Sequence, residues 1–162
     1  MDRTVDRPVA IAFGSNLGDR HAALAYAAAR LASVVHGLTL SDSVETEPHG
    51  DGLEDQPLYL NAVAVGQTAL DPAALLAVLL DIEHAFGRQR PFPGAPRTLD
   101  LDLILLGDVV VDVPGLHVPH PRFRERFFVL GPLTEVAPRM VDPVSGLEVR
   151  DLLRTLLRNE ER

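Results

Sequence analysis

Apolar positions along this chain follow two different spacings, and the switches between them mark out its elements. Val9-Ala10-Ile11-Ala12-Phe13 is an unbroken apolar run of strand length, which predicts a buried first strand. Residues 14–19 read as a turn, with Asp19 placed to cap the next helix. Leu24, Ala27, Ala28, Leu31 and Val35 then lie on one face at helical spacing. Residues 38–46 alternate as a second strand, and the polar, glycine-containing stretch 47–57 reads as a long mobile loop. Residues 59–65 form a third strand whose period of two puts Tyr59 and Asn61 on one face. Asp71-Pro72 opens a second helix with a core stripe of Leu75, Leu76, Leu79, Ile82 and Phe86, and Gly87 stands where a C-terminal cap belongs.

Residues 89–96 carry three prolines and a glycine, so they read as a second loop. A strong fourth strand follows at 99–105, and Gly107-Asp108 reads as a hairpin turn into Val109-Val110-Val111. Beyond Pro119-His120-Pro121 come an arginine-rich segment, a helix near 130–136 and an amphipathic helix near 149–157. The order β-α-β-β-α-β with C-terminal additions predicts an α+β ferredoxin-like sandwich with mobile loops at its site, in one domain over residues 1–162.

Composition narrows the function classes. At 46% hydrophobic and 23% charged residues, the chain has the balance of a folded globule. It has no cysteine, which excludes disulfides and thiolate metal sites. The first apolar run is too short for a signal peptide or membrane span, so a cytoplasmic protein is expected. A net charge of −8 argues against nucleic-acid backbones and anionic membranes as partners. All 15 basic residues are arginine, and six of them (Arg88, Arg90, Arg97, Arg122, Arg124 and Arg126) lie between positions 88 and 126. Arginine forks suit phosphate oxygens, so this stretch is a candidate anion site within an acidic protein.

Asp100 and Asp102 are the sharpest chemical feature. Two residues apart in a strand, they project from one face while Leu99, Leu101 and Leu103 pack inward. Adjacent carboxylates repel, and a hard divalent cation relieves that cost; Mg²⁺ uses one or two carboxylates plus water and phosphate oxygens. A solvated polar face is the competing reading of Asp-x-Asp, and the flanking leucines and Arg97 favour metal. Arg88, Arg90 and Arg97 bracket the proline-rich loop before this strand and could close over a polyphosphate. His120 could donate to a phosphate. Tyr59, Asn61 and Phe128 could frame a flat heterocycle. The turn at 14–18 lacks the lysine and spacing of a P-loop.

Several segments, in order, resemble one family: Phe13-Gly14-Ser15-Asn16-Leu17-Gly18-Asp19, Thr46-Glu47-Pro48, Tyr59-Leu60-Asn61-Ala62-Val63, Ile82-Glu83, Gly87-Arg88-Gln89-Arg90, Pro96-Arg97-Thr98-Leu99-Asp100-Leu101-Asp102 and Val118-Pro119-His120-Pro121. Arg126, Phe128-Val129-Leu130 and Pro132-Leu133 complete the series. The pattern is similar to 6-hydroxymethyl-7,8-dihydropterin pyrophosphokinase, a folate-pathway enzyme family. The resemblance implies transfer of the β,γ-diphosphate of ATP to the pterin hydroxymethyl group, with AMP released. It implies two Mg²⁺ ions on Asp100 and Asp102, phosphate contacts from Arg88, Arg97, His120 and Arg126, and Arg90 in a mobile catalytic loop. Glu83 and Leu103 would lie by the nucleotide. Thr46, Pro48, Tyr59, Asn61 and Phe128 would form the pterin slot, with His49 at a pterin-lining position. Familiar members carry an Arg-Trp pair just before the Pro-Arg block. Here Phe92-Pro93-Gly94-Ala95 stands there, the loop is one residue shorter, and the chain has no tryptophan, so either Phe92 covers the pterin or the slot is less enclosed. Two further readings are another Mg²⁺-dependent phosphoryl or nucleotidyl transferase and a ferredoxin-like RNA-binding module. The second would want a basic, aromatic sheet face, which this composition does not offer.

Overall fold

The computed structural model describes residues 5–47, 58–88 and 98–160. In chain order the elements are β1 (Arg7–Ser15), α1 (Arg20–Leu31), β2 (His36–Leu40), β3 (Val44–Thr46), β4 (Tyr59–Thr68), α2 (Pro72–Arg88), β5 (Asp100–Leu106), β6 (Val111–Val113), β7 (Leu116–Val118), α3 (Phe127–Val136) and α4 (Val149–Glu160). A 3₁₀ turn, Phe123–Glu125, precedes α3.

The main sheet has the order β2-β4-β1-β5, with β3 also paired to β4. β1 runs antiparallel to both β4 and β5. Each helix therefore crosses over from one strand to the next but one in space, which makes two interlocked β-α-β units and the ferredoxin-like sandwich. Local chemistry starts both crossovers. Asp19 Oδ1 accepts the Ala22 N–H at 3.0 Å to cap α1, and Asp71 Oδ1 accepts the Ala74 N–H at 2.8 Å ahead of Pro72 in α2.

The sheet is covered on both faces. Val9, Ile11, Phe13, Leu101 and Leu103 pack with Leu24, Leu31, Leu75 and Leu79 of α1 and α2 into the larger core. Ala10, Val63, Ile104 and Leu105 pack on the other face against Phe123, Leu130, Leu133 and Leu152. Removing each of the larger side chains among these from water contributes about 1.5–3 kcal/mol. A bulge puts two consecutive β5 residues on the same face. The pairing runs Ala10 to Leu105 and then Ile11 to Leu103, so Ile104 is an extra residue, and both Ile104 and Leu105 enter the second core.

Four sequence expectations change. Residues 38–46 are two strands, because the Ser41 hydroxyl accepts the Val63 N–H at 2.9 Å while Asp42 N–H turns to Glu135 at 3.0 Å. The chain thus leaves the ladder for three residues without orphaning Val63. Gly87 does not cap α2, which continues to Arg88. The turn at Gly107 does not make a hairpin with β5; Gly107 N–H instead returns to Pro8 carbonyl at 2.8 Å, and the hairpin is β6–β7 with Gly115 at φ 83°. The helix expected near 130–136 begins at Phe127.

Candidate active site

The second core stops short of covering its face of the sheet. Beyond Ala10 the β1 residues on that face are Ala12 and Gly14, too small to fill the space, and a cleft of about 920 Å³ opens there. A Cβ on Gly14 would stand 3.6 Å from Asn61 Oδ1 and 3.9 Å from the Tyr59 ring. Gly14 has no left-handed φ, so what it supplies is room.

β4 and β5 line the floor from either side of β1. Tyr59 and Asn61 of β4 and Asp100 and Asp102 of β5 all face the cleft, as does Thr46 of β3. The α3 N-terminus forms the wall with Arg126, Phe127, Phe128 and Val129, and brings the positive end of its dipole to the cleft. Arg126 sits with its guanidinium carbon 5.8 Å from the Phe128 ring centre. Arg122, Glu125, Glu47 and Glu160 also line the cleft; Arg122 belongs to the arginine-rich stretch read as a candidate anion site, whereas the three glutamates were given no role in the site.

The polar edge of the slot is set by hydrogen-bond arithmetic. Asn61 Nδ2 donates to Thr46 Oγ1 at 2.8 Å and to Val44 carbonyl at 3.3 Å. Both amide hydrogens are thereby used, which leaves Oδ1 as an acceptor on the cleft side. Thr46 accepts from Asn61, and among the described residues its hydroxyl hydrogen has no acceptor, so it can donate into the cleft. An adjacent donor and acceptor beside two aromatic rings suit a flat heterocycle with an amide-like edge. Asn61→Ala should raise the KM for that heterocyclic substrate at least about tenfold while changing the KM of the other substrate less than about twofold, as steady-state kinetics would show.

A crowd of carboxylates occupies the other end. Burial and the charge of Asp102 push the Asp100 carboxyl above its usual range. Glu83 of α2 reaches the outer edge of β5, where its Oε2 accepts the Leu101 N–H at 2.8 Å. Burial raises its carboxyl as well; the Leu101 N–H opposes this, and Asp100 and Asp102 add to it. Among the described residues no basic side chain pairs with Asp100 or Asp102. No three acidic or histidine side chains among them enclose an ion unaided. This donor set fits Mg²⁺, which keeps several waters and takes phosphate oxygens beside one or two carboxylates.

His120 follows β7, anchored by its N–H to Ile104 carbonyl at 2.9 Å. Its Nδ1 accepts the Arg122 N–H at 3.1 Å, so the ring proton is on Nε2. Burial lowers its pKa, the Asp102 charge opposes that, and Arg126, Arg122 and His117 reinforce it. His120 is therefore a neutral donor near pH 7. Leu103 departs from a simple side-chain contact: its side chain is 6% exposed and belongs to the larger core. Only its backbone can meet a ligand. Alternation gives its N–H the same outward direction as that of Leu101, toward the open edge of β5. Arg124 leaves the arginine group, because its guanidinium binds Asp142. Pro48, His49, Arg90, Phe92, Arg97 and the side chain of Arg88 lie outside the described residues, as do most of the two expected mobile loops.

The comparisons with known proteins agree with this architecture. The family model for 7,8-dihydro-6-hydroxymethylpterin-pyrophosphokinase (HPPK) matches residues 10–138. A 2-amino-4-hydroxy-6-hydroxymethyldihydropteridine pyrophosphokinase of Bacillus subtilis (strain 168) is 39% identical over 140 residues, covering 85% of this chain and 83% of that protein. One of Methylorubrum extorquens is 40% identical over 148 residues, covering 90% and 91%. The folic acid synthesis protein fol1 of Pneumocystis carinii is 37% identical over 142 residues, which are 87% of this chain but 19% of that one. Among solved structures, Plasmodium falciparum HPPK-DHPS with pteroate superposes with a TM-score of 0.73 at 13% identity, and this chain spans 98% of itself but 44% of that chain. That likeness shows the fold, while the sequence matches run through the cleft-lining segments themselves. The chain belongs to the 7,8-dihydro-6-hydroxymethylpterin-pyrophosphokinase family.

Proposed function

We propose that the cleft transfers the β,γ-diphosphate of ATP to the hydroxymethyl group of 6-hydroxymethyl-7,8-dihydropterin, releasing AMP in folate synthesis. The observation that carries this reading is one sheet face holding both the polar-edged slot and the carboxylate pair. A heterocycle seated at Asn61, Thr46, Tyr59 and Phe128 would present its hydroxymethyl arm toward Asp100 and Asp102.

The pterin hydroxyl oxygen bonds to the β-phosphorus as the bond from that phosphorus to the α,β-bridging oxygen breaks; AMP leaves, and the hydroxyl proton is released. Positioning and charge neutralisation suffice for such a step. Asp100 and Asp102 would hold two Mg²⁺ ions, which when bound neutralise phosphate charge and draw both substrates to the carboxylates. The Nε2–H of His120, the guanidinium of Arg126 and the α3 N-terminus favour the same anion, and Arg88, Arg90 and Arg97 are read as its further partners. Leu103 is assigned to the nucleotide through its backbone, and Glu83 through its hold on that edge. Pro48, His49 and Phe92 remain assigned to the pterin, with Phe92 as its cover.

A single catalytic domain over residues 1–162, acting in the cytoplasm on small molecules and not on nucleic acid, completes the reading. No helix among the described residues is long and apolar enough to cross a membrane. Product analysis tests the reaction class. Incubation with ATP, Mg²⁺ and the hydroxymethyl dihydropterin should yield AMP in step with pterin diphosphate. ADP in its place would show transfer of a single phosphoryl group, and absence of turnover would leave a binding module.

A further inference from the structure

Thr98 is the best-connected side chain at the entrance to β5, and nothing in the reaction chemistry calls for it. Its Oγ1 accepts the N–H of Asn16 at 2.8 Å and of Leu17 at 3.2 Å, and donates to Asn16 Oδ1 at 3.1 Å. One donor and two acceptor sites are the whole capacity of a hydroxyl. Its carbonyl also accepts from Ser15 Oγ at 2.7 Å, and Ser15 and Asn16 are buried.

The position of this knot matters. The β1–β5 pairing ends at Gly14 opposite Asp100, whereas Asp102 sits within the ladder opposite Ala12. The ladder thus fixes Asp102 from both directions along the strand. Asp100, the first residue of β5, would fray with the strand end unless something beyond it were attached. Thr98 is that attachment, two residues earlier and tied to the same β1. An ion with near-ideal octahedral demands is sensitive to the relative placement of two carboxylates.

We propose that Thr98 is a positioning residue that fixes Asp100 relative to Asp102, and so sets the Mg²⁺ concentration the enzyme requires. The proposal rests on the metal role assigned to these two carboxylates. Thr98→Val keeps the shape and removes the hydroxyl; Thr98→Ser keeps the hydroxyl. In the metal-free protein, amide hydrogen exchange at Asp100 should quicken about tenfold in Thr98→Val while Asp102 stays protected. The Mg²⁺ concentration for half-maximal turnover should rise about tenfold, with kcat at saturating Mg²⁺ within about threefold of the parent. Thr98→Ser should restore both. Unchanged exchange at Asp100, or an unchanged Mg²⁺ midpoint, overturns the proposal, as does a fall in kcat that saturating Mg²⁺ leaves in place. Should Thr98→Val not fold, Ser15→Ala removes one bond to the same residue; a smaller shift of both readouts is then expected, and no shift in either overturns the idea. If turnover of the unaltered enzyme ignores Mg²⁺, the metal role falls and the proposal with it. If it depends on Mg²⁺ and only the variants fail to respond, the role of Thr98 alone falls.

Discussion

Asp100→Ala and Asp102→Ala should each lower kcat by roughly a thousandfold or more, with the folded protein intact. A thousandfold is about 4 kcal/mol of barrier, the scale expected when a preorganised electrostatic element is removed. The fold should survive because both side chains face the cleft and neither holds a structural partner among the described residues. Without Mg²⁺, Asp100→Asn should melt no lower than the parent, since it relieves repulsion within the Glu83, Asp100 and Asp102 group. The sign follows from linkage. Folding raises the Asp100 and Glu83 carboxyls, so the folded state binds more protons, and their contribution to stability falls as pH rises through the raised values. Turnover at saturating Mg²⁺, alongside melting curves with and without the ion, checks both halves. A near-normal rate in either alanine variant would refute the metal assignment.

Asp142→Ala should cost about 3–5 kcal/mol of stability, the largest single loss expected outside the hydrophobic cores. Asp142 is 0% exposed and bound by a fork: Arg124 Nε at 2.6 Å and Nη2 at 2.8 Å, with Ser145 Oγ at 2.7 Å and Val144 N–H at 3.1 Å. Burial alone would raise its carboxyl, but these hydrogen bonds outweigh burial and bring it down to about 2. The linkage is opposite to that of the cleft. The depressed carboxyl stabilises the fold above its unfolded value near 4, and that contribution, on the order of 2 kcal/mol, is lost as pH falls toward 2. Urea unfolding at neutral pH should register the loss in Asp142→Ala, and a flattened acid limb in Asp142→Asn should identify its source. A variant that unfolds with the parental midpoint and acid limb would show the fork to be energetically idle.

Local signals read out well because their physics is local. The strand period around Asp100 and Asp102, the caps at Asp19 and Asp71, and the helical stripes of α1 and α2 depend on neighbours a few residues away. What went unread depends on distant partners. Ser41 breaks a strand because Val63 is beside it, Arg124 leaves the phosphate group because Asp142 is, and Thr98 acquires its role from Asn16. The β5 bulge was invisible for a related reason. A run of Leu103, Ile104, Leu105 and Leu106 is apolar in every register, so composition cannot show which residue is the extra one. In the candidate site the motif residues were legible by resemblance, whereas the direction of the Asn61 amide and the backbone-only exposure of Leu103 required the sheet.

The short side chains of Ala12 and Gly14 make the empty end of the second core a deliberate deficit in packing. On the proposed reading, an aromatic ring bound there would complete the layer as a missing side chain would, and its binding would stabilise this half of the molecule. Evolution toward a sturdier ligand-free protein and evolution toward substrate affinity would then compete for the same cleft above β1.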